Sequence, residues 1–213
     1  MSNGHSGMAD TDAGEFWENV YRAASPNTSG RPGTVLKHFA EGLSPGRALE
    51  LACGKGDDAV WLARQGWTVL AVDISATALG YAADNAMRSG VAERITFERH
   101  DLARSAPQGQ FDLVSASFFH SPGPFRRDAV LSRAAATVSD GGHLLITDHG
   151  SRAPWSWSAP DAHYPTAEET LASLSLSDDE WERRFVGALE RVANGPDGQT
   201  ASILDNVIFL QRR

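Results

Sequence analysis

The chain has 213 residues, 41% of them hydrophobic and 22% charged, with a formal net charge of −8. That length suits one compact domain with a full core. The charge weighs against a nucleic-acid backbone or an anionic membrane as the main partner, since either is repelled at long range.

One cysteine, Cys53, leaves no internal disulfide and no cysteine metal site, and the seven histidines show no paired ligand spacing, so no metal is expected. No basic start leads into an apolar core and no apolar run reaches about 18 residues, so the cytoplasm is the expected location.

Residues 1–14 (MSNGHSGMADTDAG) are small and polar and are expected to be flexible, with 15–213 forming a single domain. Glu15 to Ala24 (EFWENVYRAA) reads as an amphipathic helix presenting Phe16, Trp17, Val20 and Tyr21. A Gly/Pro/Ser-rich segment follows (SPNTSGRPG, 25–33), then a helix over Thr34–Glu41. From there the pattern alternates. RALELA (47–52) reads as a short apolar strand, Asp57–Gln65 as a helix ended by Gly66, and WTVLAVD (67–73) as a second strand. Ala76–Ser89 reads as a helix stopped by Gly90, then ITFERHD (95–101) and FDLVSASF (111–118) as strands. Arg127–Val138 reads as a helix closed by SDGG, and HLLITD (143–148) as a fifth strand.

Strands separated by helices at this spacing call for parallel βαβ units, with helices covering both faces of the sheet. The expected class is therefore α/β, a three-layer sandwich around a mostly parallel, Rossmann-like sheet. The tail changes character. A polar, aromatic-bearing loop (HGSRAPWSWSAPDAHYP, 149–165) precedes a short helix near Thr166–Leu174. Two extended stretches, Trp181–Arg191 and Thr200–Gln211, flank NGPDGQ and read as a hairpin.

In such a sheet, ligands bind outside the carboxyl ends of the strands, near the point where strand order reverses. Residues 48–62 (ALELACGKGDDAVWL) place Gly54 and Gly56 there, where glycines let the backbone approach a ligand. Asp73, closing the second strand, suits a ribose diol. A dinucleotide and an S-adenosyl ligand are served alike by these features. Glu50 separates them, because a buried carboxylate opposes pyrophosphate and suits an ammonium. Asp57 and Asp58 add negative charge at the helix start where phosphates would lie. The short chain also leaves no second domain for a hydride acceptor.

ELACGKG, followed by VLAVDIS, RHDL and FDLVSASFFH, resembles the ordered motifs of class I S-adenosylmethionine-dependent methyltransferases, over roughly residues 34–150 plus the terminal hairpin. The resemblance implies a seven-stranded sheet whose antiparallel C-terminal strand is inserted beside the fifth, and S-adenosyl-L-methionine as cofactor. It implies contacts of Glu50, Ala52, Gly54 and Gly56 with the methionine part, of Asp73 with the ribose, and of Ile74 with the adenine ring. Asp101 would accept from the adenine amino group beside the Leu102 backbone, and Ser117 and Phe118 would border the transferable methyl. FWENVY…SGRPG looks most like the tellurite-resistance and thiopurine methyltransferase-like group. Trp17 and Tyr21 would then cover the cofactor and Arg31 would reach its carboxylate, within a covering segment 15–33. That group acts on small, soft or heteroatom nucleophiles, which makes a small-molecule acceptor the expected partner.

Plainer explanations stand beside these. Trp17 and Tyr21 are also a plain hydrophobic face, Glu50 is also a partner for a neighbouring cation, and Cys53 and Trp61 read as packing residues. His120 and His149, at two strand ends, are candidate general bases for a hydroxyl or thiol, or hydrogen-bonded structural groups. The loop 149–165, with Trp155, Trp157, His163 and Tyr164, is a candidate substrate loop or a surface connection. A nicotinamide-dependent reductase and a non-catalytic S-adenosyl-binding module are the competing functions.

Overall fold

The computed structural model describes residues 12–122, 125–156, 161–195 and 197–213. Its elements in chain order are α1 (Ala13–Ala23), α2 (Thr34–Ala40), β1 (Arg47–Leu51), α3 (Asp57–Arg64), β2 (Thr68–Asp73), α4 (Ala76–Arg88) and β3 (Ile95–Arg99). There follow β4 (Phe111–Ser117), α5 (Arg127–Ala135), β5 (Val138–His149), α6 (Ala167–Ser173), β6 (Trp181–Asn194) and β7 (Thr200–Arg212). A 3-10 turn at Ala92–Arg94 leads into β3.

The strands form one seven-stranded sheet in the order β3-β2-β1-β4-β5-β7-β6. The first five are mutually parallel, and β7 runs antiparallel between β5 and β6, as the family resemblance implies. Strand order reverses between β1 and β4, so the crevice that binds ligands in this topology opens at their carboxyl ends.

Alternation along the strands produces the layers. Leu49, Leu51, Val114, Leu144, Ile146, Ile208 and Leu210 face α5 and α6. Ala48, Val69, Ala71, Leu113, Leu145 and Val207 face α2, α3 and α4. Both faces are apolar because both are covered, and each fully buried leucine contributes about 1.5–3 kcal/mol.

Three differences from the sequence pattern have physical causes. Asp12 accepts from the Gly14 and Glu15 amides, so α1 begins at Ala13 instead of leaving 13 and 14 in a loose terminus; residues 1–11 lie outside the described residues. No residue of α1 is fully buried: Phe16, Trp17 and Tyr21 are half-buried and Val20 is 40% exposed, so its apolar face is only partly covered. SDGG does not close a helix: α5 stops at Ala135, Thr137 donates back to Ala134, and Val138 pairs with Phe111 across a bulge. These residues therefore open β5, which starts at Val138 and not at His143.

The hairpin overshoots the sheet. β5 pairs with β7 only as far as His149 opposite Asp205, whereas β6 and β7 continue pairing to Asn194 opposite Thr200. The overhang stands beside the carboxyl ends of the parallel strands, and Gly150 and Ser151 lie along it through bonds to Leu204.

Candidate functional site

After β1 and again after β4, flanking the reversal point, the chain turns through a non-glycine residue in the left-handed region: Ala52 and Phe118, each at φ 52°. Each such residue costs about 1–2 kcal/mol. Gly54 (φ 54°) and Gly56 (φ 77°) complete the first turn. A Cβ on Gly56 would stand 2.9 Å from that of Ala82, and one on Gly54 would stand 2.8 Å from Tyr21 Oη. The turn is therefore tight against α4 on one side and roofed by Tyr21 on the other.

Glu50 is 6% exposed and its Oε2 has no hydrogen-bond partner. Burial pushes its carboxyl well up, and the charges acting on it, Asp58, Asp73 and Asp57, all push the same way. Asp73 lies close by; its Oδ2 accepts from the Gly54 amide at 2.9 Å and its Oδ1 from the Ser75 amide at 2.9 Å. Lys55 turns away, donating to the carbonyls of Ser25 and Asn27. The result is a buried, cation-poor cluster of carboxyls.

Asp57 and Asp58 do more than repel phosphate. Asp57 accepts from the amide and hydroxyl of Ser29, and Asp58 from the Gly33 amide at 2.6 Å and more weakly from Ser117 Oγ at 3.4 Å. They stitch the 29–33 segment over the start of α3, which brings exposed Arg31 to the rim. Asp58 faces both Glu50 and the end of β4, a position that sequence reasoning did not assign to it.

Helix α1 is held by Glu18, whose oxygens accept from Ser75 Oγ at 2.7 Å, Thr77 Oγ1 at 2.6 Å and the Thr77 amide at 3.2 Å. These bonds hold the Glu18 carboxyl down to about 2. The latch sets Tyr21 on the glycine turn, with the Trp17 ring beside it at a centroid distance of 6.3 Å. Burial and the Asp73 charge push the Tyr21 phenol up. Cys53 is 7% exposed and its thiol is pushed up by burial, as a packing residue should be.

Of the expected adenine contacts, Ile74 is half-buried beside Gly14 and its carbonyl accepts from Arg99. Leu102 is buried in the core, its carbonyl accepting from Arg133. Asp101 accepts from the Ala103 amide and pairs with Arg104 at 3.4 Å, its side chain 40% exposed.

The ends of β4 and β5 bring the histidines together. Phe118 stacks on His149 at 4.5 Å, and the His120 and His149 rings lie 6.0 Å apart at 15°. Burial pushes both imidazoles below their ordinary value. His120 Nε2 is 3.5 Å from Asp148 Oδ1, which also takes Arg127 at 2.5 Å. His163 stands 4.0 Å from Glu169 of α6. Trp155 packs near Gly195 of the hairpin loop, and Trp157 lies outside the described residues.

Four buried side-chain oxygens without partners share one face of the sheet: Glu50 Oε2 on β1, Ser115 Oγ on β4, Thr147 Oγ1 on β5 and Asp205 Oδ1 on β7. The register puts them there, since Glu50 opposes Ser115, Ser115 opposes Leu145, and Val207 opposes Thr147. Orphaned buried oxygens are costly. They form a line across four adjacent strands, from the strand before the glycine turn to the strand opposite His149. Among the described residues, no helix is long and apolar enough to cross a membrane.

Residues 48–142 match a family model described as a methyltransferase domain. The chain is 31% identical to an uncharacterized methyltransferase of Synechocystis over 63% of its own length and 62% of the relative's, and so spans less than two thirds of that protein. It is 30% identical to thiocyanate methyltransferase 1 of Arabidopsis thaliana over 75% of this chain and 72% of that one. The fold is shared, at TM-score 0.72 and 21% identity over 93% of this chain and 91% of the other, with a structure described as converting a disulfide bond into a thioacetal group during echinomycin biosynthesis.

Proposed function

The chain belongs to the class I S-adenosylmethionine-dependent methyltransferases, and from that premise we propose that it transfers the methyl group of S-adenosylmethionine to a small-molecule acceptor bearing a thiol, metalloid or hydroxyl nucleophile. The observation that carries this reading is the Glu50 carboxyl, buried, with one oxygen unpartnered and only other carboxylates around it. A pyrophosphate placed there would meet like charge in a medium of low dielectric, whereas an α-ammonium would find the counter-charge and the acceptor it needs. The residues present therefore fit the cofactor.

In this reading Glu50 and Asp58 hold the ammonium, with the Ala52, Gly54 and Gly56 backbone against the methionine chain and Arg31 reaching its carboxylate. Asp73 spends two lone pairs on backbone amides, and a carboxylate offers about four, which leaves two for the ribose hydroxyls. Ile74, Asp101 and Leu102 border the adenine, and Trp17 and Tyr21 in the 15–33 segment close over it. Ser117 and Phe118 flank the reacting carbon, with the 149–165 loop on the acceptor side.

S-adenosylmethionine, when bound, supplies an electrophilic methyl on a sulfonium, so the protein has no donor to activate. What remains for the chain is alignment in a dry pocket and, for a protic acceptor, removal of a proton. His120 and His149, both pushed down by burial, are neutral near pH 7 and able to accept one. The thiocyanate methyltransferase relative supports a small, soft acceptor.

Calorimetry with S-adenosylhomocysteine against NADH tests this. The wild-type protein is expected to bind S-adenosylhomocysteine in the micromolar range, about 8 kcal/mol. Asp73→Ala is expected to lose about 2–3 kcal/mol, the worth of hydrogen bonds to a charged group. Tight NADH binding with no S-adenosylhomocysteine signal overturns the assignment in favour of a nicotinamide-dependent reductase.

A further inference from the structure

Two charged residues of the terminal hairpin, Arg191 and Asp205, stand at the histidine end of this line of oxygens. Asp205 opposes His149 in the β5–β7 pairing, and opposed residues of an antiparallel pair project from the same face. Asp205 is 1% exposed; its Oδ2 accepts from Arg191 Nε at 2.5 Å while its Oδ1 has no partner. The Arg191 guanidinium also lies 5.9 Å from the centroid of the Phe118 ring, which itself stacks on His149. Phe118, His149, Asp205 and Arg191 thus form one row across the tips of β4, β5, β7 and β6. A buried carboxylate oxygen lacking a donor, set beside a histidine on the same face, has one chemical use: it favours a proton on that ring.

We propose that Asp205 is the positioning residue that makes His149, and not His120, the proton acceptor of the reaction, and that the acceptor is a protic nucleophile, a thiol or a hydroxyl. This rests on the methyl-transfer reading above and narrows its acceptor class. A lone pair of the acceptor atom forms the new bond to carbon. The X–H bonding pair stays on that atom as its proton passes to a His149 ring nitrogen, and the carbon–sulfur pair leaves on sulfur. The imidazolium that results faces Asp205 on β7 and Asp148 on its own strand, which favour it, and Arg191 on β6 and His120 beyond β4, which oppose it. His120 faces Asp148 Oδ1 at 3.5 Å, an oxygen that Arg127 also engages, whereas Asp205 keeps one oxygen free of any donor.

NMR titration of the histidine rings in the free protein reads each pKa without an acceptor. Asp205→Asn is expected to lower that of His149 by about 0.5 to 1 and Arg191→Gln to raise it, with His120 moving less in both. With 2-mercaptoethanol as acceptor, the acidic limb of kcat/KM should follow the same two displacements. Arg191 has a side chain 28% exposed, so its variant supplies an independent result of opposite sign should Asp205→Asn fail to fold. A His149 pKa that stays put in both variants, or a limb that tracks His120, overturns the positioning role. Wild-type protein that fails to bind S-adenosylhomocysteine overturns instead the reading on which it rests.

Discussion

Between Arg47 and Ser75 the chain completes one βαβ unit and gathers Glu50, Asp57, Asp58 and Asp73 without a cation among them. The tips of β4, β5, β6 and β7 gather two histidines, and each is backed by an aspartate paired to an arginine: His120 by Asp148 and Arg127, His149 by Asp205 and Arg191. The first region gathers carboxyls with no counter-charge among them and suits a ligand that brings the positive charge. The second is balanced within itself and suits a neutral reactant that exchanges only a proton. Both ends sit on one sheet edge, so the difference comes from which strands supply the side chains and not from the fold.

The largest blow to the first region alone should come from Gly56→Val. A Cβ there meets Ala82 at 2.9 Å on a backbone at φ 77°, and left-handed strain plus overpacking should cost about 2–4 kcal/mol. Urea unfolding should register the loss and calorimetry the absence of S-adenosylhomocysteine binding, while the His120 and His149 resonances of the folded fraction keep their shifts.

Glu18→Gln should act more mildly, loosening α1 from α4 and weakening cofactor binding without altering the histidine titrations. The same latch makes a pH prediction. The Glu18 carboxyl is held at about 2 against an ordinary 4.5, so its contribution to docking is complete above pH 4.5 and is lost as pH falls through 2. Hydrogen exchange over residues 13–23 should accelerate across that window in the wild-type protein and show no such transition in Glu18→Gln.

The smallest effects come from the two left-handed residues, and here the regions should diverge. Ala52→Gly relieves the strain at the first turn and should stabilise by about 0.5–1 kcal/mol after glycine's entropy cost. Phe118→Gly relieves the same strain but removes the ring on which His149 stacks at 4.5 Å, so thermal denaturation should show no net gain and the His149 pKa should move.

How legible each region was in the sequence follows from the same contrast. Glu50, Gly54, Gly56 and Asp73 could be placed because strand, turn and helix succeed one another locally and the local pattern dictates where each side chain lands. Arg127 with Asp148, and Arg191 with Asp205, are 21 and 14 residues apart and meet only through strand order and register, which local periodicity does not carry. One signal was present: Asp205, with Asn206, interrupts the apolar run of ILDNVIFL, and an acid inside a covered strand demands a partner. Glu18 was hidden for another reason, since it caps a helix 57 residues away. The SDGG segment read as a helix stop because its turn residues are shared by bulges, and the pairing of Val138 with Phe111 decided between the two.

On the methyl-transfer reading, the carboxyls of the first region receive a cationic ligand. Burial and mutual repulsion push the Glu50 and Asp58 carboxyls up, so an ammonium seated between them should drive protons off. Titration of S-adenosylhomocysteine across a pH series from about 5 to about 7, at each pH in two buffers of very different ionisation enthalpy, counts those protons. Net proton release by the wild-type protein, diminished in Glu50→Gln, is the predicted result; equal heats in the two buffers, or proton uptake, would contradict it.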